Sequence, residues 1–186
     1  MRRALLSLAV AVALAGCGND RTPPPDVGLI KAPGGFRPVA YPKHGLSLRI
    51  PLRWRVEPGE GDRVTTLAAG NGQISVWRFA RREPLPVSRT HLDNARKSLI
   101  AQVQARDPTF QLTSSRQIRR PGLRAVEIVG VGTNLGARRT TRSLHAYGRG
   151  AEVIVDAYAP PEEFARVDAQ TFGPVLRSLR LRAARS

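Results

Sequence analysis

The sequence predicts an α+β domain in which an antiparallel sheet packs with helices. Between Phe110 and Tyr158, segments rich in β-branched residues are joined by connections too short for a parallel crossover, which predicts a meander of antiparallel strands. Between Pro86 and Pro108 the apolar residues recur at three- and four-residue steps, which is the period of an amphipathic helix.

The first part of the domain is predicted to be β-structure. Residues 46–50 alternate apolar and polar side chains, and Pro51 ends this strand. A second short strand is predicted around Trp54 and Val56, which alternate with Arg53 and Arg55. Residues 63–69 and 73–80 form a predicted hairpin, because the Asn-Gly pair between them tolerates the positive φ of a tight turn. Both faces of 73–80 carry large side chains, so we expect this strand to be covered on both sides.

The central helix has two candidate N-caps and a clear end. Thr90 is followed three residues later by Asp93, which resembles a capping box, and Ser88 is the rival cap. Asp107 precedes Pro108, and proline disfavours helical geometry in the residue before it.

The second part of the domain is mainly β-structure and ends in one or two helices. Its predicted strands are 110–119, 123–132, 139–147 and 151–158. Residues 160–163 read Pro-Pro-Glu-Glu, and proline and acidic residues are favoured at a helix start. Residues 179–182 are predicted to finish the domain as an edge strand.

The N-terminus predicts export and lipidation. Residues 1–16 have two arginines followed by an apolar run that is too short to span a membrane, as in a secretion signal. The ending Leu14-Ala15-Gly16-Cys17 looks like a bacterial lipobox, in which the cysteine sulfur receives a diacylglycerol and the chain is cut before Cys17. We therefore expect a protein anchored by acyl chains to the extracytoplasmic face of the cell membrane. The other interpretation of Cys17 is a stray thiol after an ordinary signal.

The composition divides the rest of the chain into a tether and one domain. Residues 17–39 are rich in proline and glycine without a sustained period, which predicts a tether, and residues 40–182 form the domain. Cys17 is the single cysteine, so no internal disulfide is expected.

The charge predicts anionic partners. The net charge is +16, of which Arg2 and Arg3 contribute two. Such an excess raises the local concentration of polyanions such as acidic wall polymers or anionic lipid, and an exported protein is not expected to meet nucleic acid. The other interpretation is that the arginines are spread over solvated surfaces.

One group of arginines forms a candidate ligand surface. If the meander places neighbouring strands side by side, two groups of guanidinium ions would together bind phosphate or carboxylate. The residues are Arg119, Arg120, Arg124, Arg138, Arg139 and Arg142.

The order of elements and two short motifs resemble the PsbP-like fold. The motifs are Tyr41 with Gly45-Leu46-Ser47-Leu48, Pro51 and Trp54, and the later Phe172 with Leu176 and Ser178-Leu179. The photosystem extrinsic subunit, a Ran-binding nuclear import factor and actinobacterial lipoproteins of the LpqN type share this fold. The resemblance implies an α-β-α sandwich and a binding or assembly role. Our first hypothesis is that the domain binds an envelope protein, a glycolipid or an anionic polymer. Fold does not transmit function, so this is an analogy.

Catalysis is the alternative function. His44, His91 and His145 are the neutral-pH bases, and His145 shares a strand face with Ser143 and Tyr147. A hydrolase-like enzyme would use these groups in a polar cleft; otherwise they face solvent. No nucleophile elbow, metal-ligand spacing or cofactor motif is present in the sequence, so we expect a non-enzymatic protein without metal or cofactor.

Overall fold

The structure is a computed structural model that describes residues 28–134 and 136–184. The signal peptide predicted for residues 1–16, Cys17 and the first part of the predicted tether lie outside the described residues.

The described chain contains strands and helices in the order that the sequence predicts, with one additional strand at the beginning. The strands are β1 (Phe36–Tyr41), β2 (Leu46–Pro51), β3 (Arg55–Pro58), β4 (Arg63–Ala69), β5 (Gly72–Ala80), β6 (Gln111–Arg120), β7 (Leu123–Asn134), β8 (Ala137–Gly148), β9 (Ala151–Ala159) and β10 (Arg180–Leu181). The helices are α1 (Arg89–Arg106), α2 (Pro161–Val167) and α3 (Gly173–Ser178).

The strands form two antiparallel sheets. The large sheet has the order β3-β4-β5-β9-β8-β7-β6, and the small sheet has the order β1-β2-β10. The meander from β6 to β9 is confirmed, and β9 then pairs with β5 along its length. This pairing joins the early hairpin and the meander into one sheet.

Helices lie on both faces of the large sheet. On one face, α2, α3 and the small sheet cover the main core, in which Phe172 packs edge-on against Trp54 with ring centroids 6.0 Å apart. On the other face, α1 places Leu92 against Val126 and Ile128 of β7. The predicted α+β sandwich is therefore confirmed.

The second face of β5 is less covered than we expected. Helix α1 packs over β6 and β7, at the far side of the sheet from β5. Trp77 and Phe79 of β5 are consequently half-buried, with their rings nearly parallel and their centroids 6.5 Å apart.

The domain begins earlier than the boundary predicted at residue 40. Phe36–Tyr41 pairs with the whole of β2, and Ile30 is buried in the main core. The indole Nε1 of Trp54 donates a hydrogen bond to the carbonyl oxygen of Lys31 at 3.0 Å. Residues 28–39, predicted as tether, therefore belong to the domain, because an apolar anchor and a paired strand lie among their prolines and glycines.

Helix α1 begins at the rival cap. The Ser88 side chain accepts a hydrogen bond from the His91 backbone N–H at 3.0 Å, so the capping box predicted from Thr90 and Asp93 is wrong. Asp93 instead pairs with Arg96 at 2.8 Å and with Lys97 at 3.0 Å along the helix surface.

A wide helical turn joins α2 to α3. Residues 168–172 form a π-helical turn in which the Gly173 N–H donates to the Asp168 carbonyl. The extra residue in this turn allows Phe172 to enter the core while Asp168 points toward β8.

None of the helices within residues 28–134 and 136–184 has the length and apolar character needed to cross a bilayer.

Candidate functional site

A cleft lined by arginine lies at the end of the large sheet where two hairpin turns meet. Its volume is about 650 Å³, and we call it the arginine cleft. No acidic residue of the described chain lines it. The lining residues are Arg89, Arg119, Arg120, Pro121, Gly122, Leu123, Arg124, Tyr147, Gly148, Arg149 and Leu181.

The register of the meander brings these arginines together. Arg119 of β6 lies directly opposite Arg124 of β7, on either side of the Pro121-Gly122 turn. Arg149 lies in the neighbouring turn between β8 and β9, which is at the same end of the sheet. Arg89, the first residue of α1, lines the same cleft from the helix that packs over β6 and β7.

Arg149 occupies an unfavourable backbone conformation. Its φ is 54° and that of Gly150 is 69°, as in the tight hairpin turns that favour Asn-Gly. A left-handed conformation costs a side-chain-bearing residue about 1–2 kcal/mol. The cleft therefore contains an arginine in a backbone conformation that its side chain disfavours.

Most of the cleft guanidinium groups are available to a ligand. Arg89, Arg119, Arg124 and Arg149 are exposed, and their side chains have no hydrogen-bond or ion-pair partner within the described ranges. Arg120 is half-buried and donates to the Leu179 carbonyl at 3.3 Å. Burial, together with the nearby positive charge of Arg180, lowers the pKa of Arg120. The cleft is therefore a concave positive surface with donors suited to carboxylate or phosphate.

The structure brings together three of the six arginines predicted as one ligand surface. Arg119, Arg120 and Arg124 line the cleft, whereas Arg138, Arg139 and Arg142 lie toward the opposite end of β8. Arg139 is half-buried and donates to the Asn71 carbonyl at 3.4 Å. The six arginines are therefore divided between two ends of the sheet.

Arg142 forms ion pairs with two carboxylates inside the protein. Its guanidinium lies 2.8 Å from a Glu127 oxygen and 2.7 Å from an Asp168 oxygen, and only 12% of its side chain is exposed. Burial alone would lower the pKa of Arg142, but the hydrogen bonds and charges of Asp168 and Glu127 outweigh it and raise that pKa. A soluble anion would have to displace two carboxylates to bind here.

His145 belongs to a buried polar network beside the cleft. Its Nδ1 lies 2.8 Å from Oε1 of Glu152, whose other oxygen accepts hydrogen bonds from Arg81. Burial raises the pKa of Glu152, but His145 and Arg81 together outweigh it, so the pKa is lowered. Tyr147 contacts the same carboxylate and lines the arginine cleft, and burial followed by the charge of Glu152 raises its pKa.

Ser143, the hydroxyl that the sequence places on the strand face of His145, is bound to another residue. The Ser143 hydroxyl donates to Asp156, and burial raises the pKa of that aspartate. Neither Ser143 nor His145 lines the arginine cleft. His44 lies in the short turn before β2, and His91 is exposed on the first turn of α1.

A second, smaller cleft lies between α1 and the loop that precedes it. Its volume is about 420 Å³, and Arg81, Glu83, His91, Asn94 and Tyr147 supply its polar groups. Tyr147 therefore lines both clefts. Among the residues that the structure describes, no group of three or more histidine, cysteine or acidic side chains could hold a metal ion.

Sequence reasoning missed two members of the arginine cleft. Arg149 lies between the predicted strands 139–147 and 151–158 and is not part of the predicted ligand surface, and Arg89 precedes the predicted apolar face of α1. The signal that could have found Arg149 is topological: in a four-stranded meander, the first and third turns lie at the same end of the sheet.

No protein-family model and no curated protein matches the sequence. Solved structures do match the fold. The solution structure of the cyanobacterial PsbP protein of Synechocystis sp. PCC 6803 matches with a TM-score of 0.62 and 14% identity, over 90% of this chain and 98% of that chain. LpqN of Mycobacterium tuberculosis matches with a TM-score of 0.55 and 16% identity, over 80% and 91% of the two chains.

The Ran-binding protein Mog1p of Saccharomyces cerevisiae also matches, with a TM-score of 0.51 and 8% identity, over 79% of this chain and 95% of that chain. Identities this low establish the architecture alone. The helices on both faces of one antiparallel sheet, the early hairpin paired with the last strand of the meander, and these matches together show that the chain has the PsbP-like fold.

Proposed function

We propose that this protein is a lipid-anchored component of the cell envelope whose PsbP-like domain binds an anionic group of another envelope component, without catalysing a reaction. The observation that carries the proposal is the arginine cleft, in which five arginines and no acidic residue of the described chain surround one concavity. The anchor in this proposal is the diacylglycerol expected on Cys17, on the extracytoplasmic face of the cell membrane.

The charges of the cleft favour a role in binding anions over a role in keeping the protein soluble. Some exposed arginines of the described chain pair with carboxylates, as Arg55 does with Glu57 and Arg116 does with Glu127, whereas others, such as Arg37 and Arg138, have no carboxylate partner among the described residues. The four exposed cleft arginines lack such partners. Like charges that converge on one cavity repel each other, and an anion within it relieves that repulsion while it accepts several charge-assisted hydrogen bonds.

Two structural neighbours are consistent with this kind of role. LpqN is described as involved in cell envelope biogenesis, and Mog1p as a Ran-binding protein. Their similarity to this chain is architectural, so the proposal depends on the cleft and on Cys17 rather than on the neighbours.

A hydrolase-like enzyme is the second candidate, and the His145–Glu152 pair favours it. An acid that orients a histidine is one half of a general-base arrangement. The hydroxyl of Ser143, on the same strand face, donates to Asp156 instead. Hydrolysis of a generic ester or phosphodiester that is lost in His145→Gln would support the enzyme and would require a rearrangement of Ser143.

The anchor is tested in the native host. Metabolic labelling with a fatty-acid analogue should mark the mature protein, and Cys17→Ser should abolish the label and release the protein from the membrane fraction. An unlabelled protein that remains on the membrane as Cys17→Ser would contradict the anchor.

The cleft is tested in solution with a chain that starts at residue 17 and carries Cys17→Ser, which retains every described residue. The probe is fluorescent inorganic polyphosphate, and the readout is anisotropy at several salt concentrations. The cleft variant combines Arg119→Ser, Arg124→Ser and Arg149→Ser. The surface variant combines Arg37→Ser, Lys43→Ser and Arg138→Ser, which are exposed residues, and removes the same charge.

We expect the cleft variant to bind about tenfold more weakly or worse, since three exposed ion pairs of about 0.5 kcal/mol each account for that factor. The surface variant should bind nearly as the parent does. Equal losses in the two variants would mean that net charge, rather than the cleft, attracts the anion.

A further inference from the structure

We infer that the arginine cleft is presented away from the membrane that holds Cys17, and that it binds a polymer of repeated phosphate groups located beyond that membrane. The inference rests on the proposed function, since it assumes an anchor at Cys17 and an anion in the cleft. It adds where the ligand lies and which chemical class it belongs to.

The chain enters the domain at the end of the sheet opposite the cleft. Gly28 lies so near the β4–β5 turn that a Cβ on Gly70 would fall 2.1 Å from its carbonyl oxygen. The Ile30 side chain lies against Gly72, the first residue of β5. The described chain therefore starts beside the β4–β5 hairpin.

The strands run from this hairpin to the cleft. Gln73, next to the hairpin, pairs with Tyr158, and Tyr158 pairs with Thr141 of β8. From Thr141, β8 continues to Gly148 at the cleft, and seven steps along a strand span about 23 Å. The point of chain entry and the cleft are thus separated by most of the length of the sheet.

The entry end has the side chains expected of a surface that rests on a bilayer. Leu29 is 82% exposed, and Lys31 beside it is exposed as well. An exposed leucine gains by contact with the acyl region, and a lysine is attracted to anionic headgroups. Both residues immediately follow the segment that begins at Cys17, so this end is the one held closest to the membrane.

The length of chain between Cys17 and Gly28 favours the same orientation. Eleven residue steps reach at most about 38 Å when fully extended. Turning the cleft onto the anchoring bilayer would lift the entry point by more than 20 Å and use more than half of that length. A stretched segment loses conformational entropy, so the outward orientation of the cleft has the lower free energy.

The number of arginines in the cleft indicates a ligand with several negative charges. A single carboxylate or phosphate accepts bidentate hydrogen bonds from one or two guanidinium groups, whereas the cleft holds five. A chain of phosphates places several charges within the same cavity and releases several counterions on binding. A phosphate-linked polymer therefore fits this cleft better than a small anion does.

The single cysteine permits a direct test. A chain that starts at Cys17 is coupled through this thiol to neutral vesicles that carry a maleimide lipid, so that its orientation follows the proposed anchor. The reversed protein carries Cys17→Ser and Val87→Cys, because Val87 is exposed, uncharged and adjacent to the cleft residue Arg89. Capture of fluorescent polyphosphate by the vesicles is measured, and the affinity of each uncoupled protein is measured in parallel.

We expect the two uncoupled proteins to bind polyphosphate equally, and capture to fall about tenfold or more when the protein is coupled through residue 87. Equal capture in both orientations would overturn the inferred presentation. A failure of both uncoupled proteins to bind would instead refute the proposed function. A further arm supplies second vesicles that contain phosphatidylglycerol: their capture without capture of polyphosphate would replace the polymer with an opposing membrane and overturn the inferred ligand class.

Discussion

Arg142 and Glu127 form an ion pair of 2.8 Å beneath α2, with side chains that are 12% and 6% exposed. The two residues lie on adjacent strands, and the pair is completed by Asp168 from the wide turn after α2. The arginine therefore links the sheet to the C-terminal helices, and it is a structural residue even though its neighbours in sequence, Arg138 and Arg139, lie nearer the surface.

Replacing Arg142 should affect stability and leave anion binding unchanged. Arg142→Ser leaves Glu127 and Asp168 without their common partner in a buried site, and breaking a buried pair in this way costs about 3–5 kcal/mol. Chemical denaturation would measure the loss, and polyphosphate anisotropy would measure binding under conditions where the variant remains folded. Arg138→Ser, on the same strand but exposed, is the control and should cost less than about 0.5 kcal/mol.

Replacing Arg149 should improve stability while it weakens binding. Arg149→Asn places a residue that tolerates positive φ into the β8–β9 turn, and we expect a gain of about 0.5–1 kcal/mol in the free energy of unfolding. The same change removes a guanidinium from the cleft, so polyphosphate affinity should fall. Arg149→Lys retains the charge and should restore part of the affinity without the gain in stability. Undiminished binding by Arg149→Asn would exclude this residue from the site.

Asp156 should make the stability of the protein depend on pH in a direction opposite to that of a salt-bridged acid. Burial raises its pKa above the ordinary value of 3.8, despite the Ser143 hydrogen bond and the charges of His145 and Arg106. The ionised carboxylate therefore opposes folding at neutral pH, and this penalty fades as the pH falls through the raised pKa.

Thermal denaturation of Asp156→Asn should reveal this penalty. The variant should melt a few degrees higher than the parent at pH 7, and the difference should shrink as the pH falls through the raised pKa, because the parent then also carries a neutral side chain. The Asn side chain can still accept the Ser143 hydrogen bond. A difference in Tm that stays constant over this range would indicate that ionisation is not its cause.

Gly70 should be required for the attachment of the N-terminal segment. Gly70→Ala adds a Cβ at a φ of 53° and at 2.1 Å from the Gly28 carbonyl oxygen, so the segment around Ile30 must move. We expect a loss of about 1–3 kcal/mol and faster proteolysis between residues 28 and 36. Gly61→Ala is a matched control, because Gly61 has a similar φ of 60° and open space around its Cβ position. Equal effects of the two changes would mean that the contact with Gly28 is unimportant.

The sequence predicted the elements that have a strong local signal. The alternation in 46–50, the Asn-Gly turn and the short connections of the meander each constrain the backbone within a few residues, and the structure has all three. Strand β1 was missed because Pro38 and the glycines before it mask a pattern that is only six residues long. Its partner strand, β2, completes it through tertiary pairing that local sequence does not specify.

The site could be predicted only in part, because it depends on register. The prediction that two groups of arginines form one surface depended on strand adjacency, and only Arg119, Arg120 and Arg124 of the six line the cleft. Adjacency does not decide which end of a strand a residue occupies. Arg142 illustrates the other limit: the buried carboxylates that engage it come from β7 and from a turn 26 residues later, and no local pattern connects them.

The early start of the folded domain reduces the distance that the domain can reach from the membrane in the proposed anchored state. With Ile30 in the core and Phe36–Tyr41 in the first strand, any tether between the proposed acyl attachment at Cys17 and the domain ends before residue 28 rather than at residue 39. A shorter linker keeps the domain closer to the membrane and raises the effective concentration of the domain for ligands in that layer. Lengthening this segment with glycine and serine should therefore dilute the domain and lower its avidity for surface-bound polymer, while its affinity in solution stays the same.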